Sequence, residues 1–369
     1  MHKLIHLAAS VALCAVAASA QTTFVFDVVQ SSSNFTWSGT SSLGNIVGNP
    51  SNAFQLAGTT NLDLVLQSGA QPFASGAFSG GAAAAVPDLH GRINNVLPFL
   101  PPLATIDVLG LVLSPTSPSF TVGVGGAFTG SVSLTALAGS LVVTPLGSAP
   151  TSTPLAGSSS APGVVNGTLT LVGGALRLNA PVNSSFAFSD PTSGASGTIT
   201  VVGTLVAQYP LVASFCAGDG TGAACPCGNT APAGSGRGCL NSTGVGALLA
   251  VSGAPVVSAD TLVLSASGMP ATGTTLFFQG TGEAGAGAGV VFGDGKRCAA
   301  GTVTRLGTKT NAGGASGYPV AGDLSVSVRG VVPAAGATRT YQAWYRNSAS
   351  FCTPDGFNLT NGVRVAWIP

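Results

Sequence analysis

What most limits the folds open to this chain is where its cysteines fall. One of the seven, Cys14, lies near the start, and the other six, Cys216, Cys225, Cys227, Cys239, Cys298 and Cys352, all lie in the C-terminal part. An even set confined to one region of an exported chain reads as three disulfides. It also divides the chain into a cysteine-free half, residues 21–213, and a cysteine-bearing half, residues 214–369. The favoured bond is Cys298 with Cys352, which leaves Cys216, Cys225, Cys227 and Cys239 to pair among themselves. Cys225 and Cys227 flank a single proline and are too close to bridge each other. Zinc is the rival use, but the spacing lacks the paired C-x2-C knuckles of a structural zinc site.

Export is read from the first residues. Lys3, an apolar run from Leu4 to Ala18, and the small residues Ala18-Ser19-Ala20 form a secretory signal peptide over residues 1–20. A lipoprotein leader acylated at Cys14 is set aside because Leu13 stands where such sites carry a small residue. The long apolar stretch from Val96 to Leu113 holds Pro98, Pro101, Pro102 and Asp107, so no transmembrane segment is expected in the mature chain. The expected location is secreted or cell-surface associated.

Charged residues make up only 6% of the chain and apolar ones 45%, the reverse of a disordered composition. The length suffices for two domains with their own cores. From residue 21 to 213 there are two basic residues against five aspartates, and from 214 onward nine basic against six acidic. That asymmetry is too diffuse to imply nucleic-acid binding, and offers at most a modest attraction between the halves.

From Phe24 to about Ala207 the sequence is strand grammar: short Val, Leu, Thr and Ser runs of period two, punctuated by glycine and proline. Three runs that begin at Gly139, Gly167 and Gly197 repeat one pattern, read as a glycine turn followed by a β-branched strand. Asn166-Gly167 is the strongest hairpin signal. The expected fold is therefore all-β, an antiparallel β-sandwich or barrel followed by a disulfide-stabilised β-sandwich. The segment Val86–Pro102, with His90, Arg92 and several prolines, is expected to leave the sheet. It is read either as a lid over an apolar cavity or, preferably, as a connection whose leucines plug the core. Tyr209-Pro210-Leu211 marks a short boundary, so the two domains should be close neighbours.

In the second half strands are expected at Thr261–Ser265, Thr274–Phe278, Leu324–Val328 and Thr340–Tyr345. A closing hairpin with the loop Thr360-Asn361-Gly362 places Phe357, Leu359, Val363, Val365 and Trp367 on one face, with Gly362 left-handed. The cysteine-rich opening, Phe292-Gly293-Asp294-Gly295-Lys296-Arg297-Cys298, Gln342-Ala343-Trp344-Tyr345-Arg346 and Phe357-Asn358-Leu359-Thr360-Asn361-Gly362 together resemble a C-terminal module of unknown function that recurs on diverse secreted bacterial proteins. The resemblance covers about residues 214–369 and implies a portable extracellular β module without established catalytic residues. The first half more loosely resembles secreted lipocalin-like lipid carriers, through Phe24 to Ser33 alone.

Candidate sites are few. Asp219, Asp294 and Asp355 each precede a glycine near a cysteine, and converging carboxylates would suit calcium, although Asp-Gly is ordinary turn chemistry and no EF-hand spacing is present. Trp344, with Tyr341, Tyr345 and Arg346, is a candidate aromatic platform for a sugar or other flat ligand. On a strand, Tyr341 and Tyr345 share one face while Trp344 and Arg346 share the other, and a Trp and Arg face also suits a domain seam. His90 is the sole histidine of the mature chain, so any Ser-His-Asp triad must use it, yet no G-x-S-x-G elbow supplies a nucleophile. Glu283 is the single glutamate and lies in a glycine-rich run. No catalytic residue is assigned and no cofactor is expected. The expected role is a non-enzymatic extracellular or surface-associated structural or binding protein whose partner is an extracellular ligand or surface component. A carrier of an apolar ligand is the alternative, and a hydrolase using His90 stands behind both.

Overall fold

A computed structural model describes residues 21–369 other than 70, 190–193, 195 and 350. The leader expected over residues 1–20, with Cys14, lies outside the described residues. The fold is all-β. A large antiparallel sheet fills the first half, and smaller sheets carrying three disulfides form the second.

The thirteen strands of the large sheet are β1 (Gln21–Val28), β2 (Asn34–Ser41), β3 (Gly44–Gly48), β4 (Ala53–Leu66), β5 (Phe73–Val86), β6 (Leu89–Ile93), β7 (Ala104–Thr116), β8 (Phe120–Thr121), β9 (Ala127–Pro145), β10 (Thr151–Pro154), β11 (Gly163–Val172), β12 (Ala175–Ser189) and β13 (Ser196–Pro210). Their pairings run in a ring. β1 and β2 continue one another along β13 and β4, and β4 then pairs β5, β5 pairs β7, β7 pairs β9, β9 pairs β11, and β11 returns through β12 to β13. Ring closure removes most of the edges that an open sheet would expose.

The alternation in sequence decides what faces inward. Phe24 and Phe26 in β1, Phe35 and Trp37 in β2, and Leu176, Leu178 and Ala180 in β12 are buried, while Thr36, Ser38, Arg177 and Asn179 between them face out. Each fully buried Leu or Phe contributes about 2 kcal/mol. The interior is filled by these side chains: two apolar voids, one beside Leu111 and Phe186 and one beside Phe35 and Leu113, measure about 40 and 20 Å3. Neither holds more than a few waters, which leaves no room there for an apolar cargo.

Several local expectations are corrected. Asn166-Gly167 is not a turn but the middle of β11, and Gly197 likewise sits within β13. Glycine is needed at Gly167 because the Phe128 ring of β9 lies across it. The Phe188 ring covers Gly197 in the same way. The hairpin falls instead at Gly173-Gly174, both with positive φ, which join β11 to β12. Gly139, within β9, has a positive φ at an irregularity in the pairing with β7. Glycines read as turns thus lie inside strands of 10 to 19 residues.

The segment Val86–Pro102 does not leave the sheet as a unit. Leu89, Gly91 and Ile93 point inward from β6, which pairs β3 and β7, and Gly91 makes room for Trp37. Only the following turn departs, and its Val96, Leu97, Phe99 and Leu100 are exposed rather than plugging the core. The barrel is already filled from its own strands.

The second half comprises β14 (Val212–Phe215), β15 (Leu248–Ser252), β16 (Val263–Ser267), β17 (Thr274–Glu283), β18 (Val290–Phe292), β19 (Gly295–Arg297), β20 (Ala299–Thr310), β21 (Ser316–Tyr318), the one-turn helix α1 (Val326–Arg329), β22 (Thr338–Arg346), β23 (Phe357–Leu359) and β24 (Gly362–Ala366). Its main sheet has the order β14-β24-β22-β17-β20. The strand expected at Leu324–Val328 is replaced by α1, where the Ser327 amide donates to the Asp260 carboxylate at 2.7 Å and anchors the first turn. The closing hairpin is also corrected: β23 and β24 do not pair with each other but follow one another along β22. Gly362 is not left-handed, and buried Asn361 instead accepts the Leu249 amide at 2.7 Å, tying this strand to β15.

The two halves touch. Val256 and Ile368 from the second half belong to the barrel's core cluster, and the Gly69 amide donates to Ser258 Oγ. β14 already pairs with the second sheet from Val212. Among the described residues the ion pairs are His90–Asp107 within the first half and Lys309–Asp323 and Arg364–Glu283 within the second, so none crosses the seam.

Candidate ligand-binding groove

The sheet β20-β17-β22 sorts its side chains by parity. Tyr341, Ala343 and Tyr345 of β22 point with Phe277 into the core beneath β15 and β16. Tyr341 donates to Gln279 Oε1 and accepts from Trp367 Nε1, both at 2.8 Å, and the Tyr345 hydroxyl accepts from Asn241 at 3.2 Å. Burial pushes both phenols far above their ordinary range. The sequence proposed these two tyrosines for a ligand platform; both are fully buried and serve the core.

The opposite face carries Leu276 and Phe278 from β17, Trp344 and Arg346 from β22, and Leu359 from β23. β17 sets Leu276 beside Trp344 and Phe278 beside Arg305 of β20. The β18–β19 hairpin folds over this face and adds Phe292 and Arg297. All of these but Arg346, together with Val303, line an open groove of about 420 Å3, within the range of small-ligand sites. Phe357 packs 4.9 Å from Phe292 and 5.3 Å from Trp344, and the Arg346 guanidinium sits 5.1 Å from the Trp344 ring centre. Size alone does not single it out. A recess beside Thr121 and Asn166 measures about 510 Å3, but its lining is threonine, glycine, Ala127, Phe128 and Asn166, without a charged side chain.

What holds the hairpin in place is a polar scaffold. Gln342, fully buried, donates to the carbonyls of Lys296 and Thr360 and accepts from the Cys298 amide. Lys296 donates to the carbonyls of Ala217 and Ala223 at 2.8 Å, pinning the cysteine-rich loop, and burial pulls its ammonium below the ordinary lysine value. The bonds are Cys216–Cys298, Cys225–Cys239 and Cys227–Cys352. The expected Cys298–Cys352 pairing is thus overturned: Cys298 follows β19 at the start of β20 and reaches back to Cys216, next to β14. Cys352 precedes β23 and meets Cys227 instead.

The remaining candidates sit elsewhere or are already occupied. Asp294 is fully buried at the tip of the β18–β19 hairpin. One oxygen accepts from the Thr353 amide and hydroxyl, the other from Asn347. Asp219 accepts from Thr221 and from the Gly236 amide. Asp355 is exposed and reaches Thr353 Oγ1 only at 3.4 Å. Among the described residues no group of three or more ligating side chains converges for a metal. His90, on the outer face of β6, pairs with Asp107 at 2.7 Å. Among the described residues no hydroxyl bonds the ring, and Asp88 is spent on the Gly110 amide.

Sequence reasoning picked Trp344 and Arg346 but missed Phe278, Phe292, Arg297 and Arg305. Phe292 and Arg297 lie in a motif it noticed, yet only the fold over β22 brings that motif to the tryptophan. A comparison with protein-family models found no match, and comparisons with curated proteins and with solved structures found none either.

Proposed function

We propose that this chain is an exported binding protein in which the filled barrel is a scaffold and the outer face of the second sheet holds the ligand. The observation that carries this reading is the convergence of Trp344, Phe278, Phe292 and arginine side chains on one open groove. Such groups hold and orient a ligand, and the groove offers no paired acid and base to transform one. Three disulfides suit an oxidising, extracellular setting. No helix among the described residues is long and apolar enough to cross a membrane. The likeness of residues 214–369 to a module carried by secreted bacterial proteins fits the same role. Storage of an apolar cargo inside the barrel is disfavoured by voids of only about 40 and 20 Å3.

The test is the distribution of the chain in a producing culture. Wild type should partition with cell-surface and matrix material, while Trp344→Ala should shift to the medium. Equal partitioning of the two proteins, both folded, would remove the groove from the function.

A further inference from the structure

Resting on that reading, we infer that the groove takes an acidic polysaccharide, one that carries carboxylate or sulfate groups along its length. Charge is the first argument. Only twelve lysines and arginines occur in the chain, yet Arg297 and Arg305 line the groove with no carboxylate among the lining residues, and Arg346 stands beside it on the Trp344 ring. Two cations elsewhere are answered by carboxylates, Arg364 by Glu283 and Lys309 by Asp323. Arg305 is exposed and makes no ion pair or hydrogen bond among the described residues. Arg346 rests on the Trp344 ring and has no carboxylate partner. Uncompensated guanidinium groups set beside apolar rings attract an anion that also has an apolar face.

Sugar rings have that face. Their C–H surfaces lie flat on indole and phenyl rings, and the line Phe292, Phe357, Trp344 offers such a surface. Spacing fits an extended ligand. Arg305 is level with Gln342 across β17, and Arg346 lies four residues further along β22, so two strand spacings across and about 13 Å along the strand set their backbones roughly 16 Å apart. A ligand that reaches both spans several sugars. The groove is open, so a polymer can run through it. A nucleic acid also combines anions with flat rings, but its phosphates call for a broad basic surface, and the formal net charge is only +1.

The test is binding of the full chain to polygalacturonate, with neutral dextran and anionic phospholipid vesicles as alternatives, measured by calorimetry at low and high salt. Polygalacturonate should bind, and more weakly at high salt. Arg305→Gln and Arg346→Gln, which leave the core untouched, should each lower affinity by about threefold to tenfold with unchanged melting temperature. Trp344→Ala should lower it about tenfold in low and high salt alike. Dextran binding that ignores both arginine variants would overturn the acidic ligand while leaving the groove as a binding site. Arginine-dependent binding to vesicles but not to polygalacturonate would overturn it in favour of a membrane surface. If none of the three binds while Trp344→Ala still moves the protein off the cell surface, the ligand class falls but the binding role stands.

Discussion

At the scale of single residues, the polar side chains of the second half are consumed in building loops. Asp219 shows how. Thr221 donates to it through hydroxyl and amide, and Gly236 through its amide. The bond from the Thr221 hydroxyl, helped by the backbone amides and opposed by burial, holds the carboxyl below its ordinary value. A carboxyl depressed on folding adds stability that is complete above the unfolded value, near pH 4, and disappears as pH falls through the folded one. Asp219→Asn should therefore be less stable than wild type at neutral pH. The two denaturation midpoints should converge in strong acid, and a difference that persists unchanged there would mean the charge is not what these loops use. The same logic accounts for the sites that sequence proposed and structure redirected. An Asp-Gly pair such as Asp294-Gly295 announces a turn. That Asn347 and Thr353, more than fifty residues away, satisfy the carboxylate is a fact of packing that no local pattern contains.

At the scale of elements, period-two alternation was enough to recognise both halves as strand-built, because burial of one face leaves the same mark in every antiparallel sheet. It could not tell a glycine that turns the chain from a glycine that makes room for a ring. Gly173 is the first kind and Gly167 the second, and only the partner strand, with Phe128 more than thirty residues earlier, distinguishes them. The consequence is measurable. A Cβ at Gly167 would run into the Phe128 ring and lie 2.8 Å from the Asn179 carbonyl oxygen. Gly167→Ala should therefore cost about 1–3 kcal/mol in urea unfolding, whereas a change below a few tenths would show that the ring does not pack there. The end of the chain teaches a related lesson. Asn361-Gly362 has hairpin chemistry, but the Asn361 side chain finds the backbone of Leu249 and Ser214 Oγ, and those tertiary bonds keep the strand running on along β22.

At the scale of the whole molecule, the halves divide the work. The first is a ring of strands whose interior is occupied by its own aromatic and aliphatic side chains; the second packs Val256 and Ile368 against it and turns the Trp344 face outward. All-β architecture and three disulfides were legible from residue types and spacing. The pairing of those disulfides and the identity of the groove were not, because both depend on a hairpin, Val290–Arg297, folding over a strand some fifty residues later. The central claim is that recognition belongs to this outer face and not to the barrel. Hydrogen–deuterium exchange of the full chain with and without polygalacturonate tests it most directly. The account predicts added protection confined to peptides spanning residues 276–278, 290–305 and 344–346, with the barrel strands unchanged. Protection centred on the barrel, with none in those peptides, would contradict it.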